Sequence, residues 1–184
     1  RGSKVNDLGD NVALFGLREG YANAFEATYT TFGKIVHDQY PEDVPPFPAA
    51  SAVVNTSYLR RVLAATAQPV KAEVETASYN TVASSGERAQ LGHRSWQIQF
   101  DTGRDTFRPE ATQPLTELMQ GLVIAAGAAV EIHGHTDNQG GREANQVLSE
   151  RRAFAVKAWL QQHAPENFPE ARFRVLAHGA EQPR

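Results

Sequence analysis

Between Leu14 and Tyr40 the apolar residues Tyr21, Phe25, Tyr29, Phe32, Val36 and Tyr40 recur at steps of three or four, the spacing of one face of an α-helix. The pattern predicts a helix over this stretch, interrupted near Gly16 or Gly20. The run Pro41-Glu42-Asp43-Val44-Pro45-Pro46-Phe47-Pro48 cannot continue it, because each proline ring removes a backbone donor and restrains the residue before it. Ser51 is placed to cap a second helix carrying Val54, Tyr58, Val62 and Leu63 and ending before Pro69. Residues 1–66 therefore read as a helical N-terminal segment. Residues 67–94 are rich in Ala, Ser, Thr and charge and read as a linker, with only Val70, Ala72 and Val74 alternating in the manner of a strand.

At Trp96 the period changes. Trp96, Ile98 and Phe100 alternate with polar positions and predict a strand ending at Asp101-Thr102-Gly103. A helix follows, with Pro109 in its first turn, a stripe of Leu115, Leu118, Met119, Leu122 and Val123, and a close at Ala126-Gly127. Glu131-Ile132-His133-Gly134-His135 reads as a second strand, Arg142 to His163 as a long helix, and Phe173, Val175 and Leu176 as a third strand stopping at Gly179. The order strand, helix, strand, helix, strand belongs to an α/β (α+β) two-layer sandwich.

Composition narrows the function more than the fold. The 184 residues carry 18 basic and 21 acidic side chains, a formal charge of -3, which gives no general attraction to nucleic acid or to an anionic membrane. No cysteine is present, so disulfides and thiolate metal sites are excluded. No apolar run approaches the roughly 20 residues of a membrane span, and no signal-peptide pattern opens the chain. Arg1-Gly2-Ser3 reads as an expression scar, which predicts a longer native protein with its own export signal or anchor.

Candidate chemistry concentrates in His133-Gly134-His135-Thr136-Asp137-Asn138, followed by Asn145 and Leu148-Ser149-Glu150-Arg151-Arg152-Ala153. On a strand, His133, His135 and Asp137 would share a face, and imidazole with carboxylate suits zinc. The spacing resembles that of metallo-β-lactamase-type hydrolases, but their motif continues with a histidine where this chain has Asn138, and downstream only His163 and His178 remain. A second reading makes these polar residues an ordinary turn from strand to helix. On the helix, Leu148, Arg152, Val156 and Leu160 form one row at steps of four, while Arg151 lies in the row of Val147, Ala155 and Trp159. Periodicity alone leaves open which arginine turns inward, and Glu143 or Glu150 could pair with either.

Gly134-His135-Thr136-Asp137, Asn145 and Leu148-Ser149-x-x-Arg152-Ala153 together resemble the OmpA-like, peptidoglycan-associated family. The resemblance extends through Ile98-Gln99-Phe100-Asp101-Thr102-Gly103 and Ala177-His178-Gly179-Ala180-Glu181-Gln182-Pro183, and covers residues 95–184. It implies a domain of the periplasm or cell envelope that binds the diaminopimelate of a peptidoglycan stem peptide; the sequence shows no nucleophile with a partnered base, so a non-enzymatic module without cofactor is expected. It assigns ligand contacts to Asp137 and Arg152, with Thr136, Asn145, Thr102 and Gly103 around them, and it makes Arg152 the inward arginine. A guanidinium offers a carboxylate two parallel hydrogen bonds, and an aspartate can hold an ammonium group or orient the arginine. Members of the family continue through an Asn-Arg-Arg segment into a last strand where this chain stops at Arg184. A segment such as Val70 to Tyr79 is a candidate to replace it. Val53-Val54-Asn55-Thr56-Ser57-Tyr58-Leu59-Arg60-Arg61 resembles the end of periplasmic solute-binding-type domains fused ahead of OmpA-like modules, which makes residues 4–66 a candidate contact for another envelope protein.

Overall fold

The computed structural model describes residues 6–66, 92, 94–125 and 128–181. Proximity in space divides the chain into one unit within Arg1–Thr76 and Gln120–Ala126 and a second within Ala77–Met119 and Gly127–Arg184.

The first unit is helical. Asp7 caps α1 (Leu8–Leu14) by accepting from the Asp10 amide at 2.9 Å, and the Asp10 carboxylate accepts from the Asp7 amide at 3.1 Å, so each side chain satisfies an amide the helix leaves open. The chain then turns through Gly16 at φ +56° and Gly20 at φ +91°, conformations in which a Cβ would be strained. Asn23 caps α2 (Ala24–Gln39), accepting from the Glu26 amide at 3.0 Å. The expected interruption thus falls at both glycines.

The proline-rich connector doubles back along α2. The Phe47 ring lies against Gly33, where a Cβ would come within 2.7 Å of it, and meets the Tyr29 ring edge-on at 5.5 Å. The Tyr29 hydroxyl donates to the Pro48 carbonyl at 3.1 Å, and His37 Nδ1 lies 2.6 Å from the Val44 carbonyl oxygen. The connector therefore covers the row Tyr29, Gly33, His37. Phe32, Val36 and Tyr40, placed by their spacing in the same stripe as Tyr29, stay 55%, 41% and 50% exposed. The second expected helix is two: α3 (Ala50–Val53) and α4 (Ser57–Ala65). Ser51 lies inside α3 instead of capping it. Val54 is extended, and Asn55 Oδ1 accepts from the Ser57 amide at 3.0 Å, a local bond that competes with continuous helix. Of the expected linker 67–94, residues 67–91 and 93 lie outside the described residues, as do the Val70 to Tyr79 segment and Ala126-Gly127.

In the second unit Pro109 opens a 3-10 turn, Pro109–Ala111, that runs directly into α5 (Thr112–Ile124), of which Gln120 onward belongs to the first unit. β1 (Val130–Gly134) and β2 (Phe173–Ala177) pair in parallel, Val130 opposite Phe173 and Gly134 opposite Ala177. Parallel pairing requires a crossover, supplied by the 22-residue α6 (Arg142–His163). Its residues Ala153, Val156 and Leu160 are buried. Closest approach comes at Gly134, where a Cβ would fall onto the Ser149 carbonyl oxygen and 3.2 Å from the Ala153 Cβ. Beyond α6, Arg172 is 2% exposed and donates to the carbonyls of Ala128 at 3.0 Å and Asn167 at 2.8 Å. These bonds tie the approaches to both strands.

The α/β architecture preceded by a helical segment is as expected, with one difference. Among the described residues the sheet has two strands, and Trp96 to Phe100 does not form a third. Phe100 instead makes an isolated antiparallel bridge to Phe107, ring centroids 5.0 Å apart. The Asp101 amide donates to Thr106 at 2.9 Å and the Arg108 amide to Gln99 at 3.0 Å. The backbone bonds of this stretch close on a local reversal, and the alternation of apolar residues reflects that hairpin-like turn.

Gly134→Ala is expected to lower the stability of the second unit by about 1–3 kcal/mol, because the added methyl meets backbone that cannot rotate away. A urea titration followed by circular dichroism measures it.

Candidate functional site

α6 delivers the central residue. Arg151 is exposed, whereas Arg152, one position on, is half-buried and reaches across to the reversal after Phe100. Its Nε donates to the Arg104 carbonyl at 3.0 Å and its Nη2 to the Asp101 carbonyl at 3.2 Å. The guanidinium carbon stands 5.0 Å from the centre of the Phe100 ring, where the electron-rich face attracts a cation. Neither Glu143 nor Glu150 is its partner. Burial holds the Arg152 guanidinium below its ordinary pKa, and the carboxylates of Asp137 and Asp105 act in the opposite sense. Two of its nitrogens are spent on the protein, and Nη1 has no acceptor among the described residues.

The remaining candidates come from two loops. Asp137 is exposed in the loop after β1, close enough for its charge to act on Arg152. Asn145, 5% exposed, donates from Nδ2 to the Asp137 carbonyl at 3.3 Å and so holds that loop against the first turn of α6. Thr136 is 7% exposed; its amide donates to the Gly179 carbonyl at 2.9 Å, and its hydroxyl has no hydrogen-bond partner among the described residues. Thr102 and Gly103 are exposed, Gly103 at φ +67°, in the turn whose flanking carbonyls receive Arg152. The structure therefore brings Arg152, Asp137 and Asn145 together with the 101–104 turn, while the Thr102 side chain makes no hydrogen bond to Arg152. Sequence reasoning missed Asp105 and the two carbonyl acceptors. Nothing in a sequence marks a carbonyl, although Phe100 was legible as an apolar position.

The histidines do not assemble the hydrolase-type site. β1 ends at Gly134, so the alternation that would bring His133, His135 and Asp137 onto one face stops before the last two. Among the described residues no group of three or more His, Cys, Asp or Glu side chains is placed to hold a metal ion. His178 intervenes: its ring is near-parallel to those of His133, at 5.1 Å, and His135, at 4.9 Å.

A strand–helix–strand crossover carries the Arg152 guanidinium onto the 101–104 turn, within electrostatic reach of Asp137, in an α/β domain. Residues 99–184 match the family model described as OmpA family, and this part of the chain is an OmpA family domain. The chain is 34% identical over 87 residues to the peptidoglycan-associated lipoprotein of Agrobacterium fabrum, covering 47% of this chain and 48% of that protein. To the outer-membrane lipoprotein YfiB of Pseudomonas aeruginosa it is 33% identical over 89 residues, 48% of this chain and 51% of that one. A peptidoglycan-associated lipoprotein of the same organism is 33% identical over 99 residues, 54% and 55% of the two chains. The chain thus spans about half the length of these relatives.

Arg152→Lys keeps the charge but not the fork that reaches two carbonyls. It is expected to destabilise the second unit by about 1.5–3 kcal/mol, the range for hydrogen bonds to charged groups, while Arg151→Ala stays within about 0.5 kcal/mol of wild type. Thermal or urea denaturation of the two variants side by side checks this.

Proposed function

We propose that the OmpA family domain binds peptidoglycan non-covalently through a diaminopimelate-type stem peptide and anchors an envelope protein to the cell wall. The observation that carries the reading is the posture of Arg152: held by two backbone carbonyls and an aromatic face, with one nitrogen uncommitted, within electrostatic reach of Asp137. That pair suits a zwitterion, the guanidinium taking a carboxylate and the aspartate an ammonium group. Thr136 would add its buried hydroxyl, Asn145 would keep the Asp137 loop in place, and Thr102 with Gly103 would present backbone amides to a carboxylate. The printed names of the relatives, lipoproteins associated with peptidoglycan or the outer membrane, support this ligand and a periplasmic or envelope location.

Asp137 and Arg152 supply charge and hydrogen bonds but no covalent step, so the reading is of a binding module, not an enzyme. Within it, residues 95–184 grip the wall, residues 67–94 act as a tether, and residues 4–66 face another envelope component. The exposed Phe32, Val36 and Tyr40 of α2 are consistent with that last role.

Calorimetric titration with a diaminopimelate-containing muropeptide tests the site. Wild-type protein is expected to bind, with Arg152→Ala and Asp137→Ala each weaker by about 10- to 100-fold, the equivalent of one lost charged hydrogen bond. Equal binding by all three would sink the residue assignment. Wild-type protein that is folded yet stays unbound on purified sacculi would replace wall binding with an interaction scaffold.

A further inference from the structure

One row of α6 is left over once the helix has met the sheet and delivered Arg152. Ala144, Val147, Arg151, Phe154 and Ala158 are all exposed, Val147 and Phe154 at 47% each. They follow one another at steps of three, four, three and four, the spacing by which one helix meets another along a narrow seam. At about 100° per residue the seam lies on the far side of the helix from the buried Ala153, Val156 and Leu160. The sheet therefore leaves it open.

We propose that α6 packs antiparallel against α6 of a second copy of this chain, along that seam. Reversing one helix sets each residue that begins a three-step opposite one that ends a three-step. Arg151 then faces Phe154, and Ala158 faces Val147, each pair occurring twice about the two-fold axis.

Three features select this partner. The first is fit, since the small Ala158 receives Val147 and lets the two backbones approach closely. The second is charge. The Phe154 ring already draws one cation, Lys157 Nζ at 5.6 Å from its centre, and the opposing Arg151 brings a second, of the kind that gives up water most readily. The same register sets Glu150 roughly 3 Å along the axis from Lys157 of the second copy, whose ammonium also meets Glu170. A purely apolar helix would leave Arg151 and Glu150 unmatched, and a purely acidic one would repel Glu150. The third is order. The 22-residue helix is already fixed on the sheet through Gly134, so no segment has to fold for the two faces to meet.

From Ala144 to Ala158 the seam runs about 21 Å, at the small end of specific interfaces, so a Kd on the order of 10–100 µM is expected. Where Arg152 grips the wall as proposed above, pairing gives one assembly two grips and the gain of avidity.

Sedimentation equilibrium of the full 184-residue chain from about 1 to 500 µM, a range that brackets this Kd, tests the pairing without any wall ligand. Wild type is expected to pass from monomer to dimer. Val147→Glu buries a charge and Phe154→Lys sets a cation against Arg151, so both should stay monomeric. Arg151→Ala should weaken the dimer about 10-fold, and Ile35→Glu, at an exposed position of α2, should dimerise as wild type. Circular dichroism confirms that each variant folds. The lack of cysteine in the chain lets introduced thiols read the orientation. Val147→Cys and Ala158→Cys chains, mixed and oxidised, should cross-link to each other. Neither should cross-link to itself, because antiparallel pairing holds copies of one position about 16 Å apart along the axis, beyond the reach of a disulfide. A wild-type chain that stays monomeric throughout would leave the seam to a different protein and overturn the proposal. A folded Phe154→Lys chain that dimerises as tightly as wild type would do the same, as would cysteine variants that cross-link only to themselves.

Discussion

The second unit depends on how closely α6 can lie on β1, and that distance is set by the missing side chain of Gly134. With no Cβ there, the Ser149 backbone rests directly on the strand. At that depth the Ser149 hydroxyl donates to the Gln146 carbonyl at 2.8 Å and accepts from the Gly179 amide at 3.0 Å. Gln146 also reaches past it to the Ala177 carbonyl at 3.0 Å. Gly179 returns a carbonyl to Thr136, and Gly134 one to His178. The C-terminal ends of both strands are thereby fastened to the first half of one helix. Arg152 follows Ser149 by three residues, under one turn, so its starting point is fixed by the same contact.

Fixing the backbone does not by itself make a binding residue, since an arginine has many rotamers to lose. Here that loss is taken during folding, when Nε and Nη2 find the Arg104 and Asp101 carbonyls and the guanidinium settles over Phe100. The charged group gives up some water to do so, which is why its pKa falls, and Asp137 and Asp105 offset part of that loss. A side chain already ordered contributes more of its interaction energy to a ligand than one that must first be immobilised. Such tethering also makes Arg152 a structural strut, so affinity and stability must be measured on the same variants.

How far these features were legible varied with the kind of interaction involved. Helix α6 and strands β1 and β2 were readable because their periodic patterns are long or bounded by glycine and proline, and the crossover follows from their order. Spacing located α2 but misjudged which of its residues would be covered, because the cover is an irregular proline-rich segment whose path no period encodes. Trp96 to Phe100 alternates as a strand should, yet alternation describes side chains, and the backbone partner of Phe100 is Phe107, seven residues on in a local reversal. The choice between Arg151 and Arg152 rested on resemblance alone. What decides the geometry is a pair of carbonyls, and every residue has one. His178 was legible as part of the Ala177 to Pro183 resemblance, but its neighbours His133 and His135 are given only by the parallel register with β1.

That register also explains why the two polar constellations at the strand ends stay apart. Position 134 must face α6, so position 133 cannot, and the His133–His178 pair is confined to the opposite face of the sheet. Asp137 escapes this rule because it lies beyond the strand, where Asn145 holds its backbone on the side of α6. The histidines therefore cannot recruit Asp137 without unravelling the end of β1, and Arg152 cannot reach the imidazoles without leaving its carbonyls. A single glycine contact thus sorts one continuous motif, His133 to Asp137, into imidazoles on one face and a carboxylate beside the guanidinium on the other.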